Sequence, residues 1–442
     1  MKDLTKKEKR CIAGIVVLYG MYDFSVLLVD LFGIMVQVMM GFICFVLLCF
    51  ITTKCMNMKV QNIFIFLLIA SINSSYYSMI GVPYNRLPLT WFLLASVMII
   101  FLCHLKIQRN LALLAAVLLL VFFAFSIVYL RNQNLAGAVN QGINLFVFLL
   151  MLSCAKQLRR VCDVRTGSCA QIIYLGSVFM FSLMVVLQKY LCENRGLDIG
   201  HIGKYAMRTS YAATFYDFSF ATLYVASGFC MLFAGICYKI RLLSWNNSLI
   251  LMGVYIYAVL IINARTGLVA LVLAVFLMFV YLIIKRKRAQ ILVVGICTVP
   301  VVLLLLLFMS SRREGMFSSS GRIDGYIAGL KCFMEHFWIG NGFGIQNYGL
   351  TIPHNLIVQY LAQFGIIGFS IILIGMYPVL KKILLDKESI IRWTVMTVVI
   401  GSMFIPDIVS SHYLTVVIVL AFCETHKKLQ QPVQTIEEKA KR

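Results

Sequence analysis

Charge is scarce in this sequence, and acid is scarcest. Only 13% of the 442 residues are charged, 17 of them acidic against 39 basic. A soluble domain usually carries about 25% charged residues, so this chain has too little polar surface to clothe a soluble fold of its length. Other absences narrow the field further. The 14 cysteines are scattered and nowhere take metal-ligand spacing, so most act as small hydrophobes. No internal repeat of the kind that marks many secondary transporters is visible, and no low-complexity tract. GNGFG (340–344) has the glycines of a dinucleotide loop, but no strand precedes it and no βαβ unit surrounds it.

What is present is apolar sequence in long runs. Hydrophobic residues make up 61% of the chain, and its mean hydropathy is +0.92. The runs predict an all-α polytopic membrane protein of about twelve to fourteen transmembrane helices. Fourteen can be drawn, at 11–29, 31–52, 61–80, 88–105, 111–130, 138–155, 169–191, 216–238, 247–263, 266–284, 290–309, 355–380, 390–404 and 407–423. No room is left between them for a soluble domain. The first run continues into a second without a small-residue cleavage site, so it is expected to be retained as a span. The organisation expected is a set of N-terminal helices over 1–168 and a C-terminal membrane region over 169–442.

A net charge of +22 raises the question of nucleic acid, but its distribution answers it. With the basic MKDLTKKEKR inside, alternate loops hold 28 of the 39 lysines and arginines, the bias that orients membrane proteins. Both termini are then cytoplasmic, and no nucleic-acid partner is expected. Inside, lysine outnumbers arginine by 18 to 10; outside, arginine outnumbers lysine by 8 to 3. Arginine offers a planar fork suited to phosphate. The outer arginines together point to an anionic ligand there, although any one of them can simply snorkel to the interface.

Two outer loops concentrate the polar residues. The first, 192–215, carries Arg195, His201, Lys204 and Arg208; the second, 310–354, is the longest polar insertion. Within the second, Ile323, Ile327, Leu330, Met334 and Phe337 recur at helical spacing, which predicts an amphipathic helix on the membrane surface. WIGNGFG (338–344) ends it. TIPHNLIVQYLAQFG (351–365) then places His354 just before a span, with Pro353 barring a helix from upstream and Asn355 as N-cap. The positive end of that helix disfavours imidazolium, so the ring should be neutral near pH 7 and able to accept a proton. Asn355, Gln359 and Gln363 form a polar stripe at i, i+4, i+8, expected to face the protein interior or a wet cavity. Arg265 sits in the turn of a tight apolar hairpin, IINARTGLVAL (261–271). The plain alternatives are an interfacial imidazole that bonds a carbonyl and an arginine that reaches lipid phosphate.

From about Tyr205 to Gly368 the chain resembles the O-antigen ligase/polymerase superfamily of bacterial membrane glycosyltransferases. The resemblance rests on Arg208, on NARTGL (263–268), on SGRIDGYIAGLKCFMEHFWIGNGFG (320–344) and on PHNLIVQYLAQFGIIGF (353–369). Where the family often carries an asparagine- and proline-rich segment, this chain has YAATFYDF (211–218). The family implies a design similar to C-type glycosyltransferases. It also implies transfer of a glycan, with inversion, from an undecaprenyl-pyrophosphate donor at the outer face of the bacterial cytoplasmic membrane. The donor lipid, membrane lipids, a chain-length regulator and a flippase are the implied partners.

Residues that suit this chemistry are present. Fixed cations aimed at a leaving pyrophosphate stabilise the transition state, and Arg208, Arg265 and Arg322 are the candidates. His354 is the candidate general base. Asn355, Gln359, Tyr326 and Trp338 are candidates for substrate contact, and Glu314, Asp324 and Glu335 either orient substrate or are solvated. No acidic pair or D-x-D pattern on the outer side suits a metal, so a metal-independent enzyme without cofactor is expected. Polymerisation of lipid-linked repeat units is favoured. Ligase-type transfer of finished glycan is the alternative, and a lipid-linked oligosaccharide flippase is the rival of another class.

Overall fold

The computed structural model describes residues 4–59, 61–75, 111–129, 142, 145, 146, 148–153, 164–205, 208–215, 217–238, 240, 242–285, 290, 291, 295, 322–343, 353–385, 389–405 and 413–423. Over these the chain is an all-α polytopic membrane protein. Its helices are α1 (Lys6–Leu27), α2 (Val29–Phe50, passing into a π-helical turn, Ile51–Cys55), α3 (Gln61–Ser75), α4 (Leu111–Tyr129), α5 (Val164–Arg195), α6 (Phe218–Cys237), α7 (Trp245–Ile262), α8 (Arg265–Ile284), α9 (Arg322–Glu335), α10 (Leu356–Leu385), α11 (Ile391–Gly401) and α12 (Tyr413–Cys423). Among the described residues seven helical segments are long and apolar enough to cross a membrane, and α4, α11 and α12 supply shorter apolar stretches. The expected span 88–105 lies outside the described residues, as do most of 290–309 and parts of 138–155.

Helix α6 is the axis of the bundle. It packs against α5, α7, α8 and α11, and nearly all of its residues are buried. A helix apolar on every side belongs in such a place. Between helices in lipid the approach is set by small residues rather than by a hydrophobic driving force. Gly267 of α8 shows this: a Cβ there would lie 2.3 Å from the Thr222 backbone of α6. At the other end of the chain a capping box starts α1. Thr5 Oγ1 accepts from Glu8 N (3.2 Å), and Glu8 Oε2 accepts from Thr5 N (2.6 Å). Glu8 also pairs with Arg165, which donates to the Met56 carbonyl (2.7 Å) and so ties α1 and the π-helical turn to α5.

Polar side chains inside the bundle are joined to one another. Asn73 of α3 donates to Asp23 of α1 (2.6 Å) and to Ser177 of α5 (3.3 Å), and Tyr224 of α6 donates to Ser177 (2.9 Å). The hydroxyls of Tyr174, Ser227 and Tyr413 form a second knot, with Tyr174 and Tyr413 at 2.6 and 2.5 Å from Ser227. With no water to satisfy them, such groups must find protein partners.

Two features have no counterpart in the expected string of spans. The first is a hairpin in the 192–215 segment, β1 (Ile202–Tyr205) against β2 (Arg208–Tyr211), antiparallel with Ile202 facing Tyr211. Gln188 of α5 fastens its base, donating to the Ile199 and His201 carbonyls (2.7 and 3.1 Å) and accepting from Ala213 N (2.8 Å). The second is a break in α10 at Gly365, whose φ of 60° is left-handed. The residues after α9 fill the break. Ile366 and Ile367 donate to the Phe337 and Trp338 carbonyls (2.9 and 3.2 Å), while Asn341 N and Gly342 N donate to Ala362 and Gln363 (3.0 and 2.7 Å). Glycine is required on both sides. A Cβ on Gly340 would meet the Gln363 backbone at 2.4 Å, and one on Gly365 would meet Trp338 at 2.5 Å. Two sequence segments that resemble one family are thus the two halves of one interlock.

Candidate functional site

Four helices start close together at the hairpin end of the bundle. Helix α6 begins at Asp217, whose Oδ1 accepts from Ser219 N (2.5 Å) and Phe220 N (3.1 Å). Helix α8 begins at Arg265. Ahead of it Asn263 caps α7 in the left-handed conformation (φ 60°), one that asparagine tolerates, and Ala264 is extended and gives no side-chain cap. The five residues of NARTG therefore supply, in order, a turn, a link, a guanidinium, a hydroxyl and a close approach. The α8 start is held by Gly267 N donating to Thr222 Oγ1 of α6 (3.3 Å). Helix α9 begins at Arg322, which donates from Nη2 to Thr266 Oγ1 (3.3 Å) and so joins the surface helix to the residue after Arg265.

The fourth start is that of α10. Asn355 is its cap: Oδ1 accepts from Ile357 N (2.9 Å) and Val358 N (3.1 Å), while Nδ2 donates to the Met403 carbonyl (3.2 Å). His354 stands just outside. Its carbonyl accepts from the Tyr326 hydroxyl of α9 (3.2 Å), a hydroxyl also 3.4 Å from the Met403 carbonyl. Below it Gly329 packs against Pro353, where a Cβ would lie 2.8 Å from the ring. The imidazole is half-buried, and its Nδ1 is buried without a hydrogen-bond partner among the described residues.

Burial holds the His354 ring below the ordinary histidine value, and the positive charge of Arg322 adds to this; Asp217 works in the opposite direction. This direction favours the neutral ring, the form the sequence reading expected near pH 7. Burial is the largest cause, acting in the same direction as the positive end of α10. His201, on the hairpin, has the same environment in a second form. Burial lowers it, Asp217 opposes, and its ring lies 4.7 Å from that of Phe218.

The expected site residues divide by place. His354, Arg322, Tyr326 and Asn355 are brought together with the Arg265–Thr266 start of α8. Arg208 is the first residue of β2, and its side chain lies outside the described residues, as does Glu314. Gln359 and Gln363 are fully buried in α10, as a polar stripe facing the protein should be. Trp338 is 65% exposed beside Phe337 at the far end of α9. The apolar residues Ile323, Ile327, Leu330 and Met334 are exposed together along α9, as expected of a helix lying on a membrane. Cys192 and Cys332 are free. Asp217 and Thr266 were missed. An aspartate ahead of FSFATL is a legible N-cap signal, but nothing in the sequence ties it to His354.

Residues 248–373, which hold the starts of α8, α9 and α10, match the family described as O-antigen ligase. Over these residues the chain is similar to the O-antigen ligase/polymerase superfamily. No curated protein matches it. The matched region contains Arg265, Arg322 and His354, and together with the seven long apolar helices the match supports a multi-pass membrane protein of O-antigen ligase/polymerase-type glycan processing.

Proposed function

We propose that this protein polymerises undecaprenyl-pyrophosphate-linked oligosaccharide repeat units at the outer face of a bacterial cytoplasmic membrane. The observation that carries the reading is the Arg322–Thr266 contact (3.3 Å). It places two guanidinium-bearing helix starts together, and Arg322 also acts on the neutral imidazole of His354. Cations and a base in one cluster suit a reaction with an anionic leaving group and a hydroxyl nucleophile.

In this reading the acceptor hydroxyl attacks the anomeric carbon of the donor sugar from the face opposite the pyrophosphate. The bond from that carbon to the phosphate oxygen breaks, its electrons stay with the leaving undecaprenyl pyrophosphate, and the configuration inverts. The hydroxyl proton passes to His354. Arg265 and Arg322, with Arg208 from the hairpin, meet the charge on the pyrophosphate. Each such contact is worth roughly 1.5–3 kcal/mol. The charge is met by guanidinium groups, so the reading needs no metal ion. Tyr326 holds the His354 carbonyl, Asn355 caps α10 beside it and bonds the Met403 carbonyl, and Trp338 offers an exposed ring face for sugar. Both termini lie in the cytoplasm, where the basic loops fall; a flippase would supply the donor, and a chain-length regulator would set the product.

Ligase-type transfer is the second reading, favoured by the description of the matched family. Purified protein supplied with lipid-linked repeat units separates the two. A ladder of longer lipid-linked products is expected; product formed only when a different glycolipid acceptor is added would replace polymerisation with ligation.

A further inference from the structure

The end of α11 lies against the start of α10, and hydrogen bonds make the contact. Ser402, the C-cap of α11, presents its carbonyl to Leu356 N (3.0 Å). Met403 follows, and its carbonyl accepts from Asn355 Nδ2 (3.2 Å). The Tyr326 hydroxyl of α9 lies 3.4 Å from the same carbonyl and 3.2 Å from the carbonyl of His354. Three elements thus meet at one peptide group, and Asn355, which makes the link, is next to His354. A helix leaves its first amides and last carbonyls unpaired, and here two such ends satisfy each other. The negative end of α11 faces the positive end of α10. Behind this junction α11 packs against α6 and against α8, the helix whose start carries Arg265 and Thr266.

Asn355 commits its side chain to this junction. Its Oδ1 accepts from both Ile357 N (2.9 Å) and Val358 N (3.1 Å), which fills its two lone pairs. One of its two amide N–H groups is on Met403. We infer that Asn355 is a positioning residue rather than a substrate contact: it fixes the His354 ring by locking the start of α10 onto the end of α11. The inference rests on the reading of His354 as base. A base acts only within hydrogen-bond reach of the proton it takes, so the place of the ring matters as much as its proton affinity. His354 precedes the first turn of α10, so the helix itself does not hold it. Its neighbours do: Tyr326 on its own carbonyl, Pro353 against Gly329 before it, and Asn355 after it. The residue type suits the task. Serine, threonine and aspartate also cap a helix, but asparagine caps with an oxygen and donates with a nitrogen from one short side chain.

Asn355→Ser separates the two tasks. Serine caps a helix about as well and is neutral, but it has no amide to give Met403. In detergent the full-length Asn355→Ser protein should melt near the native temperature. In proteoliposomes supplied with lipid-linked repeat units its KM should stay near native. Its kcat should fall roughly ten- to a hundredfold, the scale on which a misplacement of about 1 Å lowers a rate. Asn355→Ala, which loses cap and link together, should show the same fall in kcat and a lower melting temperature. On the residual rate of His354→Ala, adding Asn355→Ser should change little, because no base is left to place. A raised KM with native kcat would overturn the inference, since loss of a substrate contact gives that pattern. So would a native kcat in Asn355→Ser while His354→Ala is inactive, or an undiminished further fall in the double variant. Full product from His354→Ala is a different failure: it removes the base assignment, and this role falls with it.

Discussion

At the scale of residues, His354 shows how a single ring is tuned by what surrounds it. Burial and Arg322 hold its proton affinity down, and Asp217 pulls it partly back. A histidine whose affinity is lowered on folding is neutral above its folded value, and it is in this neutral form that a base works. The acid limb of kcat/KM is therefore expected below 6.5, the ordinary histidine value, and a limb centred above 6.5 would contradict the environment described. The pair RT at 265–266 shows the limit of reading residues singly. Arg265 was legible as an arginine out of place among apolar residues, whereas Thr266, which receives Arg322 and anchors the surface helix, carried no signal of its own.

At the scale of elements, the helices were legible and their junctions were not. Expected spans at 216–238, 247–263 and 266–284 became α6, α7 and α8 with shifts of a residue or two, because long apolar runs have few other ways to satisfy their backbones in lipid. The surface helix emerged at Arg322–Glu335 for the same kind of reason, a stripe at helical spacing. The hairpin at 202–211 escaped notice, since its two-residue connection, Ala206-Met207, lacks the Asn-Gly or Gly signal of tight turns. The interlock between 337–342 and 362–367 was equally hidden. It is made of backbone hydrogen bonds, and only its glycines mark it in the sequence. Gly365→Ala tests it. A left-handed φ and a Cβ 2.5 Å from Trp338 should together cost about 1–3 kcal/mol, seen as a lower melting temperature in detergent. An unchanged melting temperature would mean that the break in α10 is not held by this contact.

At the scale of the whole molecule, a buried polar path from Asp23 through Asn73 and Ser177 to Tyr224 ties α1 and α3 to the axial helix, so the N-terminal helices brace the element that carries Asp217. That path could not be anticipated. Each residue looked like a lone polar group in a greasy helix, and their meeting depends on how four helices pack. The charge distribution, by contrast, is a property of the sequence itself and does not depend on packing. The central claim is that glycan transfer takes place where the starts of α6, α8, α9 and α10 meet, with His354 as its base. The most direct measurement is the transfer rate of His354→Ala in proteoliposomes supplied with lipid-linked repeat units. The account predicts a fall of roughly 10²–10⁴, the usual worth of general base catalysis, in protein that inserts and melts like the native form. Transfer at the native rate would contradict it.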